Sequence, residues 1–256
     1  GSGRGPGSES SANTDWNNEI TAAEEVYNLF GSLTNGAWLS YNGNSAVMKT
    51  VNDDPTISCP NANWNSVSTN YCTGVSGDDT VAHEWGHAYT EYTHNLIYAW
   101  QPGALNESYS DVWGEVVDLL NNRGLDTPTG TRSSAGQYCS TADSAAAPKS
   151  VKKDAAIRWV SGEDDPAFGG PIRDMWRPEC HGDPGMVTST RYTCSTADGG
   201  GVHQNSGIPN HGFALTVDGG TYNGQTITGL GLVKAAHIYW QAQRFYQNPT
   251  TDFADH

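Results

Sequence analysis

The run His83-Glu84-Trp85-Gly86-His87 sets two imidazoles and a carboxylate where a metal ion and a water could meet. Residues i and i+4 of a helix lie on one face, about one turn apart. His83 and His87 can then point at one ion. Glu84 sits beside that face and reaches a water without being a ligand. Hydrolytic zinc usually takes three protein ligands and keeps a fourth position for water. Glu107, inside Ala-Leu-Asn-Glu-Ser-Tyr-Ser-Asp (104–111), is the candidate third ligand. Apolar residues at 105, 109, 112, 113, 116, 119 and 120 follow a helical period around it. Pro102-Gly103 breaks the chain just before. The elements that must position the chemistry are therefore helix, turn, helix.

From Asp79 to Glu115 the chain resembles the thermolysin family of secreted neutral metallopeptidases. The likeness continues in Asp198-Gly-Gly-Gly-Val-His-Gln-Asn-Ser-Gly-Ile (198–208) and touches Asn61-Ala62, covering roughly 14–256. It implies zinc on His83, His87 and Glu107, with Glu84 as general base. It also implies Tyr98 and His203 as donors to the developing oxyanion, and Asp198 as the carboxylate that orients His203. Asp111 matches the partner of the first ligand histidine, and Asn106 a neighbouring support. Arg173 matches a residue that binds a substrate carbonyl. Asn61 and Ala62 match the edge that pairs with substrate backbone. Asp79, Asp118 and Glu163 fall where the family keeps carboxylates for calcium. Arg158 and Val160 stand where further acids belong, so one calcium fits and two do not. A helix cap at Asp79 and a solvated Asp118 remain the plain alternative.

Thr80, Ser161, Asp165 and Ile172 match the pocket beyond the scissile bond. An inward Asp165 would favour Lys or Arg there; an Asp165 facing solvent or calcium would leave the preference ordinary.

Thirteen basic against 28 acidic residues give a net charge of −15. That argues against nucleic acid and anionic membrane as partners; the family resemblance implies proteins or peptides as substrates. No apolar run approaches the roughly 20 residues needed to span a bilayer. Cys59 and Cys72 bracket one loop, Cys180 and Cys194 another, and Cys139 is left over. Two local disulfides, each stabilising by about 3 kcal/mol, imply an oxidising, extracellular compartment. Five free thiols are the alternative.

Residues 1–13 read as a flexible Gly/Ser-rich segment, 14–94 as a reduced N-terminal lobe ending in the zinc helix, and 95–256 as a mainly helical catalytic lobe. Thr21-Ala-Ala-Glu24 reads as a capping box opening a helix to about Phe30. Trp38 to Lys49 reads as a hairpin. The zinc helix is expected over 79–94, further helices over 152–160, 205–217 and 230–247, and loop over 122–150. The class is α+β; the resemblance implies two lobes with the zinc cleft between them. Only about 80 residues precede the zinc helix. The chain then fits a processed fragment, a shortened relative, or one half of a nicked pair whose companion chain supplies the missing N- and C-terminal parts. The leading expectation is a zinc endopeptidase. An inactive binding relative, and a zinc hydrolase or aminopeptidase of another bond class, are the rivals.

Overall fold

The computed structural model describes residues 14–123, 128, 132 and 158–256. Helix α1 (Thr14–Leu33) buries Ala22, Val26, Leu29, Phe30 and Leu33, a spacing of three and four that makes one apolar stripe. Its start lies before the expected capping box. Thr21 is mid-helix, and its hydroxyl donates back to the Asn17 carbonyl (2.8 Å).

Helix α2 (Asp78–Glu91) and helix α3 (Trp100–Leu120) form the centre. They run antiparallel and almost touch. A Cβ on Gly86 would lie 2.8 Å from Ser110 Cα, and one on Gly114 would lie 2.7 Å from the Asp79 carbonyl oxygen. Glycine in mid-helix costs about 1 kcal/mol relative to alanine. Here it allows a backbone approach that any side chain would block. Pro102 does not precede α3 but stands in its first turn, where no helical N–H is needed. Residues 103–119 of α3 are buried throughout, so this helix is walled on every side.

The aromatic core joins these helices. Phe30 stacks on Tyr89 at 3.7 Å and meets Trp113 and Trp240 edge-on at 4.9 and 4.8 Å. Trp240 comes from α6 (Leu232–Gln241), which continues into a wider π turn, Ala242–Tyr246. Gln243 in that turn accepts from Trp113 Nε1 (2.8 Å) and donates to Thr93 Oγ1 (3.1 Å), tying the end of the chain to α3 and to the residues just after α2. The expected helices at 205–217 and 230–247 correspond to α5 (Gly207–Asp218) and to α6 with its π turn.

The β structure is slight. Strand β1 (Thr50–Val51) runs parallel to β3 (Thr69–Tyr71), which pairs antiparallel with β2 (Ala62–Trp64). The order β1-β3-β2 leaves β2 at an edge. Strands β4 (Val160–Ser161) and β5 (Arg173–Asp174) pair, as do β6 (Gly220–Tyr222) and β7 (Gln225–Ile227). The α+β class holds. The hairpin expected over 38–49 is absent: Ser40 Oγ bonds the Ala46 carbonyl, and Asn42 Oδ1 accepts from the Asn44 and Ala46 amides. Side-chain turns there take the donors a ladder would use.

Cys59 and Cys72 form a disulfide. The expected Cys180–Cys194 bridge does not form. Cys180 is buried and bonded to a cysteine outside the described residues, while Cys194 is free and exposed. Thr193 N and O both bond the Asn205 side chain, which holds this stretch against α4 (Asp198–Asn205). Cys139, the N-terminal segment, nearly all of the expected 122–150 loop and residues 152–157 of an expected helix lie outside the described residues; Val160 of that helix belongs to β4. No described helix is long and apolar enough to cross a membrane.

Candidate metal centre and substrate cleft

The α2–α3 crossing brings three donors together. His83 Nε2 lies 3.1 Å from His87 Nε2 and 3.5 Å from Glu107 Oε2, and His87 Nε2 lies 3.3 Å from Glu107 Oε1. All three ligand atoms fall within 4.8 Å of one another. The opposite ring nitrogens are tied back: His83 Nδ1 to Asp111 Oδ1 (2.8 Å) and His87 Nδ1 to Asn106 Oδ1 (2.7 Å). With the proton on Nδ1, each Nε2 turns a lone pair inward. Two such lone pairs 3.1 Å apart repel unless a cation lies between them. Glu107 Oε2 is buried without a hydrogen-bond partner. Two imidazoles, a carboxylate and an orphaned oxygen fit zinc.

The electrostatics agree. Burial opposes a proton on His83, but Asp111 and Glu107 outweigh it and push its pKa up to about 10. Burial likewise raises the Glu107 carboxyl, yet His203 and His87 pull it well below the ordinary range. Glu84 is also buried; desolvation raises it against the pull of His83 and His87. It lines the same cleft as the three donors.

Asp111 is the hub beneath. Its carboxylate accepts from His83 Nδ1, from Arg173 Nε (2.7 Å) and Nη2 (2.6 Å), and from Asn210 Nδ2 (2.7 Å). Burial raises its pKa, but Arg173 and His83 more than reverse that. Arg173 in turn is held beside the cleft, and Asn106 Nδ2 reaches the Leu96 carbonyl (3.0 Å).

The open side carries Tyr98 and His203, both about half exposed. The Tyr98 hydroxyl donates to Glu107 Oε1 and lies 3.2 Å from His203 Nε2. Asp198 Oδ1 meets His203 Nδ1 at 2.7 Å, and Asp198 Oδ2 accepts from the His203 amide at 3.0 Å. The intervening glycines explain the spacing. Gly199, Gly200 and Gly201 all have positive φ, and a Cβ on Gly200 would strike the Trp100 ring at 2.5 Å. Only glycine lets the chain pass Trp100 and bring Asp198 back over His203.

The cleft has a volume of about 870 Å³. Asn61, Ala62, Asn63 and Trp64 form one wall, so the free edge of β2 faces it. Sequence reasoning missed Glu91 on this wall, which accepts from Trp64 Nε1 (2.7 Å) and Ser66 Oγ (2.9 Å). It also missed Asn210, which nothing in the sequence marks apart from its neighbours. Thr80, Ser161, Ile172 and Phe168 line the far side. Asp165 does not, which corrects the expectation of a pocket carboxylate. It is fully buried behind α2, accepting from the Ser76 and Gly77 amides (2.6 Å each) and from Thr80 Oγ1 (2.5 Å). Amides of the turn that leads into α2 claim the carboxylate.

Below Asp111 the helix pair ends in acid. Asp79, Asp118 and Glu163 are buried together with Glu115, which the sequence reading passed over although it continues the stripe Glu107–Asp111–Glu115 at i+4. Burial, then Asp79, Glu115 and Asp118, raise Glu163 well above the ordinary range. Burial, then Asp165 and Asp78, do the same for Asp79, whose oxygens accept from the Thr80 and Gly162 amides. Glu163 Oε2 has no hydrogen-bond partner. This donor set suits a hard cation such as calcium. Arg158 is turned to Asp218 (2.9 Å), outside the cluster.

Residues 94–256 match the family model of the thermolysin metallopeptidase α-helical domain. Among curated relatives, a zinc metalloproteinase of Renibacterium salmoninarum is 39% identical over 194 residues, 73% of this chain and 30% of the relative. Thermolysin of Bacillus caldolyticus is 34% identical over 228 residues, 84% of this chain and 35% of its own length. The thermostable neutral protease NprT of Geobacillus stearothermophilus is 32% identical, covering 94% of this chain and 41% of its own. The chain thus spans about a third of the length of these relatives. Among solved structures, the precursor of protealysin, a metalloproteinase from Serratia proteamaculans, shares the fold: TM-score 0.67, 22% identity, 98% of this chain and 72% of that one. The chain belongs to the thermolysin family of metallopeptidases.

Proposed function

We propose that this chain is a zinc endopeptidase that hydrolyses peptide bonds of proteins and peptides outside the cell. One observation carries the reading: three donors converge within 4.8 Å, both imidazoles tied back at Nδ1, with the Glu84 carboxyl beside them in the cleft. His83, His87 and Glu107 would hold the ion. When bound there, zinc supplies Lewis acidity to the attacking water and to the scissile carbonyl. Glu84 accepts the proton of that water and delivers it to the leaving amine. Its buried position, which raises its pKa, suits a group that must both take and return a proton. His203 and Tyr98 donate to the developing oxyanion from the open side. Asp198 holds the His203 ring at Nδ1, leaving Nε2 toward the substrate. Substrate backbone adds to the β2 edge at Asn61 and Ala62. Arg173, fixed by two bonds to Asp111, keeps a remaining N–H for a substrate carbonyl. The Asp79, Glu115, Asp118 and Glu163 cluster takes one structural calcium.

The Cys59–Cys72 disulfide supports an oxidising compartment. Cleavage of a quenched casein substrate tests the reading. Activity that a chelator abolishes and zinc restores is the expected result. Cleavage indifferent to chelation, or none at any zinc level, would refute it.

A further inference from the structure

We propose that the junction of α1, β1 and the loop after β3 is a separate binding site for a hard divalent cation of the calcium class, held by Asp15, Glu19 and Asp53. None of these residues lines the substrate cleft. Glu19 is 0% exposed on the inner face of α1. Its Oε1 accepts from Asn52 Nδ2 (2.8 Å), and its Oε2 is buried without a hydrogen-bond partner. One helical turn earlier, Asp15 accepts from the Gly74 amide (2.8 Å) and from Ser76 Oγ (2.9 Å). Asp53, next to Asn52, accepts from Thr73 Oγ1 (2.6 Å), and Thr73 adjoins Gly74. Three hydrogen bonds and two pairs of chain neighbours thus join Glu19, Asn52, Asp53, Thr73, Gly74 and Asp15, and one turn of α1 separates Asp15 from Glu19.

Three carboxylates at one junction need a counter-charge. Among the described residues, none of the three pairs with a Lys or Arg. Burial pushes Glu19 up to about 8 against the Asn52 hydrogen bond, and Asp15 and Asp53 add to it. The orphaned Oε2 separates a ligand site from a solvated acidic patch: a buried oxygen that water cannot reach is costly unless something occupies it. Asp53 and Thr73 are exposed and Asp15 is half-buried, so the junction opens to solvent on one side. Only the His83, His87, Glu107 trio brings three donors within 4.8 Å among the described residues. The carboxylates of this junction stand wider than that. A cation draws them in, and carbonyl oxygens and water complete a shell of six to eight. All donors are oxygen, which selects calcium over zinc.

The test counts calcium ions per chain by equilibrium dialysis on the zinc-loaded protein, for the parent and for Glu19→Gln and Asp53→Asn. Terbium luminescence sensitised by Trp16, the neighbour of Asp15, reports the location. Glu19→Gln is expected to bind one calcium fewer, with zinc content unchanged and the terbium signal lowered to what the Asp79, Glu115, Asp118 and Glu163 cluster alone gives. Asp53→Asn, at an exposed position that folding tolerates, is expected to weaken that ion at least about tenfold. Equal calcium counts and equal terbium signals in parent and both variants would overturn the site and leave Glu19 a protonated buried acid.

Discussion

The two ends of the α2–α3 pair bury carboxylates in opposite ways. At the metal end two acids are compensated: Glu107 faces three imidazoles, and Asp111 gathers Arg173, His83 and Asn210. Both acids are held below their ordinary range. At the acidic end, Asp79 and Glu163 sit among further buried carboxylates and are pushed well above it. The helices, the depth and the side-chain chemistry are alike. What differs is the counter-charge, so burial alone does not decide what a carboxylate does in this fold. The metal end keeps Glu107 and Asp111 ionised, fit for a ligand and its hub. The acidic end stores repulsion that a hard cation would relieve.

The same isosteric change should therefore act in opposite directions at the two ends. Asp111→Asn leaves Arg173 and His83 buried beside an amide, and should cost about 3–5 kcal/mol in denaturant unfolding. Glu163→Gln removes one of four crowded acids, and in chelator should leave stability unchanged or raise it. Equal destabilisation by both would erase the distinction.

Next in size is His203→Ala on the open side. Loss of one oxyanion donor should lower kcat about 10²–10³-fold with little change in KM. A change confined to KM would make the residue a substrate contact instead.

His94 supplies a control from the core: a buried group with no acid beside it. Burial holds it down to about 3 against the pull of the Thr90 carbonyl; His256 pushes the same way as burial, and Tyr109 packs edge-on. The unfolded chain takes the proton first, so stability falls as pH drops from about 6.5 towards 3. His94→Phe should flatten that limb by roughly 2–3 kcal/mol relative to the parent. An unchanged limb would mean the acidic end governs acid sensitivity alone.

The smallest effect belongs to Asp165 behind α2. Asp165→Ala strands the Ser76 and Gly77 amides and should cost about 1–3 kcal/mol while leaving cleavage-site preference as it was. A shift in preference beyond the scissile bond would return Asp165 to the pocket.

What was legible in the sequence was whatever rests on local spacing. His83 and His87 at i, i+4 and Asp198 five residues before His203 each encode a contact within one or two turns. Glu107 became readable through helical periodicity and the family likeness. The misses are long-range. Asp165 reaches Ser76 across the fold, Asn210 reaches Asp111 from α5, and Cys180 finds a cysteine other than Cys194. Sequence proximity favoured the nearer cysteine, but Cys194 is exposed and follows Thr193, which Asn205 holds against α4, while Cys180 is buried. Glu115 was within reach, since it lies one turn past Asp111, yet an acid on a helix reads as a solvated one until packing is known. The expected hairpin failed for a local reason: Ser40 and Asn42 satisfy the backbone groups that a strand ladder needs.

The most direct measurement is Glu84→Gln, assayed for bound zinc and for cleavage of a quenched peptide. The ligand set is untouched, so one zinc per chain should remain, while turnover should fall at least about 10²-fold, the range a general base contributes. Retention of more than about a tenth of the parent rate with zinc in place, set against that same range, would contradict Glu84 as the base and with it the proposed hydrolytic mechanism.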